Sequence, residues 1–498
     1  MSDPRPQTLG ALEASGYRSM SVRDELRTRL LDQLRRGVPA SERWPGILGY
    51  DETVIPQIEH AILSRHDFIL LGLRGQAKTR LLRSLAGLLA PWVPALAGTP
   101  LREDPLAPVT AQGRALVAEH GADTPITWIP RSERYHEKLA TPDVTMADLL
   151  GDVDPIKAAA RGVGLDHEEA LHYGLVPRSN RGVFAINELP DLSPRIQVGL
   201  FNILEERDVQ LRGFPVRIPL DVMLVFSANP EDYTNRGSII TPLRDRIASQ
   251  IMTHYPSDLE TARTITAAEA WTERDTATLH VPLFVRDIVE EVAIQARQSE
   301  FVDPASGVSV RLTIALLENA LSSAERRAVL LGVEQESVRV TDLFAALSAV
   351  TGKIELVFEG EREGPEIVAQ RILGQGVKAV FERVFPAPYQ GQGAEKTPED
   401  VYKPIVDWFA EGNTLLLHDA KDDRERLAAV PRLEELARTH LSASPYGFDE
   451  ADLPAACELV LEGLHQASVV AKERADGGVA YGDLLQRMFA GFDGPSRS

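Results

Sequence analysis

The chain has 498 residues, which is room for two or three domains with buried cores, and its 44% hydrophobic and 25% charged content is ordinary for a soluble globular protein. The formal charge of −20 argues against broad contact with nucleic acid or an anionic membrane, because phosphate binding rests on clustered Lys and Arg. The single cysteine, Cys457, excludes an intrachain disulfide and a cysteine-based metal cluster, and agrees with a reducing cytoplasm.

The opening Met1-Ser2-Asp3-Pro4-Arg5-Pro6 lacks the apolar core of a signal peptide, and no run of about 18 apolar residues follows, so no membrane span is expected. Residues 1–44 are polar, with one amphipathic helical stretch, Val22 to Arg36, read as a packing helix. From residue 45 helical and strand-like segments alternate. Short apolar runs at Phe68–Leu71, Thr127–Pro130, Val183–Ile186 and Val222–Ser227 predict a parallel sheet covered on both faces by helices. Residues 95–125 read as an irregular excursion, and Asp152 and Asp154 as a loop or cap pair. The stretch 256–385 reads as mostly helical, with Phe358 to Gly364 as a charged loop. Pro386 to Gly393 reads as a linker, and 400–490 as a small acidic helical domain in which Cys457 is a core residue.

The chemistry concentrates in a few places. Gly72-Leu73-Arg74-Gly75-Gln76-Ala77-Lys78-Thr79, between an apolar strand and the helix-like run from Arg80, is the strand–loop–helix context of a phosphate-binding P-loop. Lys78 would reach the β- and γ-phosphates and the Thr79 hydroxyl would ligate Mg²⁺. Ala77 stands where a second glycine is usual, which implies a negative φ at that residue. The second element is the apolar run Gly182 to Ile186, which ends in Asn187-Glu188, an arrangement that brings an acid to the phosphates. Glu188 is the candidate for water activation and a candidate for the metal, while Asn187 occupies a position where an Asp is usual. A third strand ends in Asn229-Pro230 and delivers the Asn229 amide to the same end of the sheet. Arg244 and Arg246 flank Asp245 in a short segment, and Arg311 opens a later helix. His167 and His172 are five residues apart, which does not place both rings on one helical face, so a metal site there is set aside.

The order of these features resembles the AAA+ ATPases, and more narrowly the branch holding the magnesium chelatase ATPase subunit and the MoxR proteins. Pro45-Gly46-Ile47-Leu48-Gly49-Tyr50-Asp51-Glu52 resembles the segment that lies against the adenine in that branch. Leu139-Ala140-Thr141-Pro142-Asp143-Val144 and His172-Tyr173-Gly174-Leu175-Val176-Pro177 resemble the insert before the acidic strand. Leu243-Arg244-Asp245-Arg246-Ile247 resembles the chelatase's Leu-Leu-Asp-Arg-Phe, which makes Arg246 the arginine-finger match. MoxR proteins and MCM helicases also carry Ala before the P-loop Lys.

The resemblance covers about 45–385 and implies an α/β P-loop core with a parallel sheet between helices, an α-helical lid and a small helical C-terminal domain. Its expected divisions are 1–44, an N-terminal helical extension; 45–255, the nucleotide-binding core; 256–385, the lid; 386–399, the linker; and 400–498, the C-terminal domain. It further implies ATP and Mg²⁺ held by Gly72, Gly75, Gln76, Ala77, Lys78, Thr79 and Arg80. Glu188, Asn229 and Arg246 would be catalytic, and Arg311 would couple nucleotide state to the lid. A homo-oligomeric ring, hexameric by resemblance, would act on a client presented by a separate protein with a von Willebrand factor A domain. A σ54-type transcriptional activator is an alternative, but its Gly-Ala-Phe-Thr-Gly-Ala loop is absent from the sequence. An MCM-like helicase would need basic pore hairpins, against the acidic balance. A nucleotide-gated assembly protein with little hydrolysis is the reading that Asn187 favours.

Overall fold

The computed structural model describes residues 5–165, 167–210, 217–229, 238–390, 397–398, 401–418, 420–475 and 477–484. The chain divides into two compact units, Met1–Tyr255 and Pro256–Ser498. The first is built on five parallel strands: β1 (Phe68–Leu71), β2 (Tyr135–Leu139), β3 (Gly182–Asn187), β4 (Val222–Ala228) and β5 (Ser249–Met252). They lie in the order β5-β1-β4-β3-β2, with every neighbouring pair parallel. Successive side chains of a strand point to opposite faces. Val183, Ala185, Met223 and Val225 therefore join Phe68 and Leu70 in one core, while Phe184, Ile186, Leu224 and Phe226 join Ile69 in the other. Every residue of β3 and β4 is buried, which is why both read as continuous apolar runs. Helix Val22–Arg35 lays Val22, Leu26 and Leu30, spaced four apart, into the core that holds Phe68. Helix Val22–Arg35 is thus packed on the sheet.

Two sequence expectations are corrected in this unit. The run Thr127–Pro130 is a strand, but Ile126–Pro130 pairs antiparallel with Trp92–Leu96 in a separate two-stranded ribbon. Only Ile126 of that strand is fully buried, whereas a central parallel strand must be apolar on both faces. The sheet edge is instead Tyr135-His136-Glu137-Lys138-Leu139, whose polar residues suit a half-solvated edge. The excursion at 95–125 contains helix Ala111–His120, capped by the Thr110 side chain, which accepts from the Gly113 N–H. Asp154 does cap a helix, accepting from the N–H groups of Ile156 and Lys157 at 3.0 Å each.

The second unit is mainly helical. Its longest members are Leu283–Gln298, Arg311–Leu331, Pro365–Val384 and Leu453–Gln466. Phe358–Glu363 is a short helix rather than a loop. The acidic C-terminal stretch has the expected helices Lys403–Ala410, Leu433–Ala443 and Leu453–Gln466. It also has a three-stranded antiparallel sheet, Leu415–His418, Gly478–Asp483 and Val470–Ala475 in that spatial order, which the sequence reading missed. One hydrophobic core runs through the unit, from Val281 and Phe284 to Val470 and Tyr481. Cys457 is buried in it, where desolvation pushes the thiol pKa far up and leaves it inert. Of the expected linker, 391–396 and 399 lie outside the described residues. A buried ionic cluster braces the core: Asp342 accepts from Arg327 at 2.6 and 2.9 Å, from the Ser323 hydroxyl at 2.7 Å and from the Arg339 N–H at 2.7 Å. Among the described residues no helix is long and apolar enough to cross a membrane.

Candidate nucleotide site

The sheet register aligns the carboxyl ends of the strands: Leu71 lies opposite Ala228 and Met252, Phe226 opposite Ile186, and Asn187 opposite Leu139. Ligands of open α/β sheets bind at that end. The loop leaving β1 there is closely fitted. A Cβ at Gly72 would fall 2.0 Å from Thr253 Oγ1 and 2.2 Å from Gln76 Oε1, so only glycine fits. Gly75 has φ +74°, and Ala77, the N-cap of helix Lys78–Ser84, has φ +54° and ψ +15°. The negative φ expected at Ala77 is therefore wrong: the alanine sits in the left-handed region, at a cost of about 1–2 kcal/mol. Ala77→Gly is accordingly expected to raise stability by about 1 kcal/mol without loss of nucleotide binding, read by thermal unfolding with and without ATP. A lower unfolding temperature would show that the strain at Ala77 is not what limits the loop.

Three further segments converge on this loop. The Lys78 ammonium, almost fully buried, donates to the carbonyls of Gly72 and Leu73 (2.9 Å to the latter) and to Asn229 Oδ1 at 2.6 Å. The Asn229 amide in turn donates to Glu188 Oε2 at 2.9 Å. One asparagine thus links the cation of the loop to the carboxylate of the next strand end. On the other side, Thr79 Oγ1 lies 3.5 Å from Asn187 Oδ1, which also accepts from Ser227 Oγ at 3.1 Å. Glu188 itself has φ +55° and ψ +51°, a second strained non-glycine residue at the same site.

The loop is tied to the rest of the unit by Tyr50. Its hydroxyl lies 2.7 Å from the His254 carbonyl and 3.0 Å from the Gln76 carbonyl, sharing its one proton between them, and burial pushes its pKa up to about 12. The Gln76 side chain accepts from Thr253 at 2.7 Å. Arg80 is exposed and donates to the Gly46 carbonyl at 3.3 Å, which places the stretch Pro45–Glu52 against the phosphate loop.

The two arginines proposed to act from elsewhere are placed differently. Arg246 pairs with Glu205 at 3.0 Å, stacks 4.3 Å above the Phe201 ring centroid and donates to the Pro242 carbonyl at 2.8 Å. Its salt bridge is with Glu205, not with the adjacent Asp245. Arg244 is exposed. Arg311 opens helix Arg311–Leu331 of the second unit, exposed, with its N–H donated to Ser309 Oγ at 3.1 Å.

Of the residues singled out from sequence, Lys78, Thr79, Asn187, Glu188 and Asn229 form one hydrogen-bonded cluster. Sequence reasoning gave no role of their own to Ser227, Thr253 or Tyr50, the last entering only as part of the stretch Pro45–Glu52. Ser227 carries a usable signal, as the one hydroxyl in the apolar run Val222–Phe226 and its continuation. Thr253 and Tyr50 carry none.

No protein-family model matches the sequence. A stretch of 87 residues is 34% identical to the hydrogenase transcriptional regulatory protein HoxA of Cupriavidus necator, covering 17% of this chain and 18% of HoxA. A stretch of 168 residues is 28% identical to the archaeal Lon protease of Thermococcus kodakarensis, covering 30% of this chain and 25% of the protease. The chain thus spans a quarter or less of the length of these curated relatives. Among solved structures, the complex between subunits BchI and BchD of magnesium chelatase matches 64% of this chain and 98% of the compared chain, at 20% identity and a TM-score of 0.33.

Proposed function

We propose, for a chain whose P-loop fold and similarities are those of the AAA+ ATPases, that it hydrolyses ATP in a closed ring of identical copies to remodel or activate a partner protein. The observation that carries this reading is the connected line Lys78–Asn229–Glu188 at the carboxyl end of the sheet. It joins an ammonium, an amide and a carboxylate in one hydrogen-bonded unit, which supports their reading as phosphate binder, sensor and general base. The residues present fit a nucleotide with Mg²⁺: the cradle closes on Gly72, and the Thr79 hydroxyl faces an amide oxygen beside the loop.

In this reading Gly72, Gly75, Gln76, Ala77, Lys78, Thr79 and Arg80 hold the phosphates, and Thr79 and Glu188 are the protein groups toward Mg²⁺. When bound, the ion neutralises charge on the phosphate oxygens. Glu188 takes the proton of the attacking water, and Asn229 holds that carboxylate in place. Arg246 completes a neighbouring copy's site, a head-to-tail contact that closes into a ring by rotation, and Arg311 couples the second unit to the nucleotide. A separate partner with a von Willebrand factor A domain and a cytoplasmic location complete the proposal. Fold alone does not fix the client.

The test is phosphate release from ATP by the purified chain, with particle size measured alongside. Release that vanishes in Lys78→Ala supports the reading, and ATP binding without release would sink it. Asn187 gives the same site a distinct expectation. Asn187→Asp restores a charged acceptor beside Thr79 and should lower the Mg²⁺ needed for half-maximal release by about 5–10-fold, read from Mg²⁺ titrations. An unchanged midpoint would place Asn187 outside the metal's reach.

The similarity to HoxA favours a second reading, a transcriptional activator that remodels RNA polymerase. Its test is ATP-dependent opening of promoter DNA by a σ54-type polymerase holoenzyme. The absence of a Gly-Ala-Phe-Thr-Gly-Ala loop weighs against it.

A further inference from the structure

We propose that Ser227 is a positioning residue of the phosphate site, its single hydroxyl setting both the Asn187 amide and the turn that aims Glu188. The inference rests on the ATPase reading above and adds a residue to it. Ser227 is 1% exposed, the penultimate residue of β4, and its side chain reaches across to the end of β3. There Oγ donates to Asn187 Oδ1 at 3.1 Å and accepts from the Glu188 N–H at 3.3 Å. A hydroxyl has one proton to give and lone pairs to receive, so both bonds form at once and fix each other's direction.

The two bonds fall where the strand needs them. β3 ends at Asn187, and Glu188 turns out of the ladder into a left-handed conformation that no ordinary side chain favours. Its N–H is directed to a side chain of the neighbouring strand. The Asn187 amide oxygen receives Ser227 Oγ from one side and Thr79 Oγ1, at 3.5 Å, from the other. One buried hydroxyl therefore connects the metal-facing hydroxyl of the P-loop to the backbone that carries the general base. A lone buried serine on a strand needs a partner for its hydroxyl. Here it bonds to two residues 40 and 39 positions away, both at the site.

Removing the hydroxyl should leave the fold and the phosphate cradle intact, since Lys78 is held by the Gly72 and Leu73 carbonyls and by Asn229. The amide of Asn187 would then keep a single hydroxyl partner, and Glu188 would lose the bond that fixes its turn. Displacing a catalytic group by about 1 Å costs on the order of 10²-fold in rate.

The experiment compares full-length wild type, Ser227→Ala, Ser227→Cys, Ser227→Thr and Lys78→Ala. It measures kcat and KM for phosphate release, and ATP affinity in EDTA and in Mg²⁺ by displacement of a fluorescent ATP analogue. Ser227→Ala should lower kcat by about 10-fold or more, with ATP affinity in EDTA within about twofold of wild type. The gain in affinity on adding Mg²⁺ should shrink by about threefold or more, as the partner of Thr79 loosens. Ser227→Cys keeps the side-chain shape at slightly larger size but is a weak hydrogen-bonding group, so it must fail as Ala does, and Ser227→Thr must restore both readouts. A wild-type kcat and Mg²⁺ gain in Ser227→Ala or Ser227→Cys overturns the proposal. So does a Thr variant as impaired as Ala, which would make the residue a matter of packing alone. Wild type that binds ATP without releasing phosphate marks failure of the ATPase reading instead. The Mg²⁺-dependent gain then decides the role of Ser227 by itself.

Discussion

Glu188→Gln should reduce phosphate release by about 10²–10⁴-fold while leaving ATP bound, the range expected for loss of a general base. The substitution is nearly isosteric and keeps an oxygen to accept from Asn229, which now donates to Glu188 Oε2 at 2.9 Å. What it removes is the capacity to take a proton. The preceding residue, Asn187, is neutral and cannot substitute as a base. Lys78→Ala should instead abolish binding, because the ammonium that bridges the loop carbonyls and Asn229 is gone. Single-turnover release and nucleotide binding separate the two outcomes. A Gln variant within about threefold of wild type would remove Glu188 from the chemistry and redirect attention to other acids of the unit.

The largest stability effect is expected in the second unit. Asp342→Ala should cost about 3–5 kcal/mol, because Arg327, 1% exposed like Asp342 itself, would lose its two-pronged carboxylate partner and keep only Glu336, at 3.6 Å, as a counter-charge. The Ser323 hydroxyl and the Arg339 N–H would lose their acceptor as well. By contrast, Asp32→Ala should change stability by less than about 0.5 kcal/mol, since its pair with Arg36 is solvated, at 63% and 68% side-chain exposure. Denaturant unfolding of both variants against wild type checks the contrast. Comparable small effects in both would mean that the interior of this unit admits water to the cluster.

What the sequence revealed follows from what surrounds each element. β1, β3 and β4 are enclosed by the cores, so they are almost wholly apolar and stand out, with Asn187 and Ser227 the polar residues near the ends of β3 and β4. β2 and β5, Tyr-His-Glu-Lys-Leu and Ser-Gln-Ile-Met, are the sheet's edges, and their polar residues hide them. Ile126–Pro130 looked central because it holds Trp128 and Ile129, but it belongs to a ribbon at the periphery. The hairpin Val470–Ala475 with Gly478–Asp483 was missed although Asp476-Gly477 between two β-compatible runs is a strong turn signal. Within the site, Lys78, Thr79, Asn187, Glu188 and Asn229 were legible because each ends a strand or opens a helix within a recognisable string. Ala77 was read with the wrong backbone sign, since the sequence names a residue but not the tension that its neighbours impose. Ser227 was marked only as a lone hydroxyl in an apolar run, and Thr253 not at all, because the role of either emerges only once its partners are placed.

The strand order has a consequence for how the protein is made. β1 lies between β5 and β4, and both leave the ribosome about 150 residues or more after it. At roughly 5–20 residues per second, the strand that carries the phosphate loop waits on the order of ten seconds with both edges bare. Parallel pairing across such separations is slow even in the finished chain. During that interval Phe68-Ile69-Leu70-Leu71 is a short, uncharged, β-prone segment open to the wrong neighbour. Yield from cells should therefore depend on translation speed and chaperone supply more steeply than the stability of the folded protein would suggest.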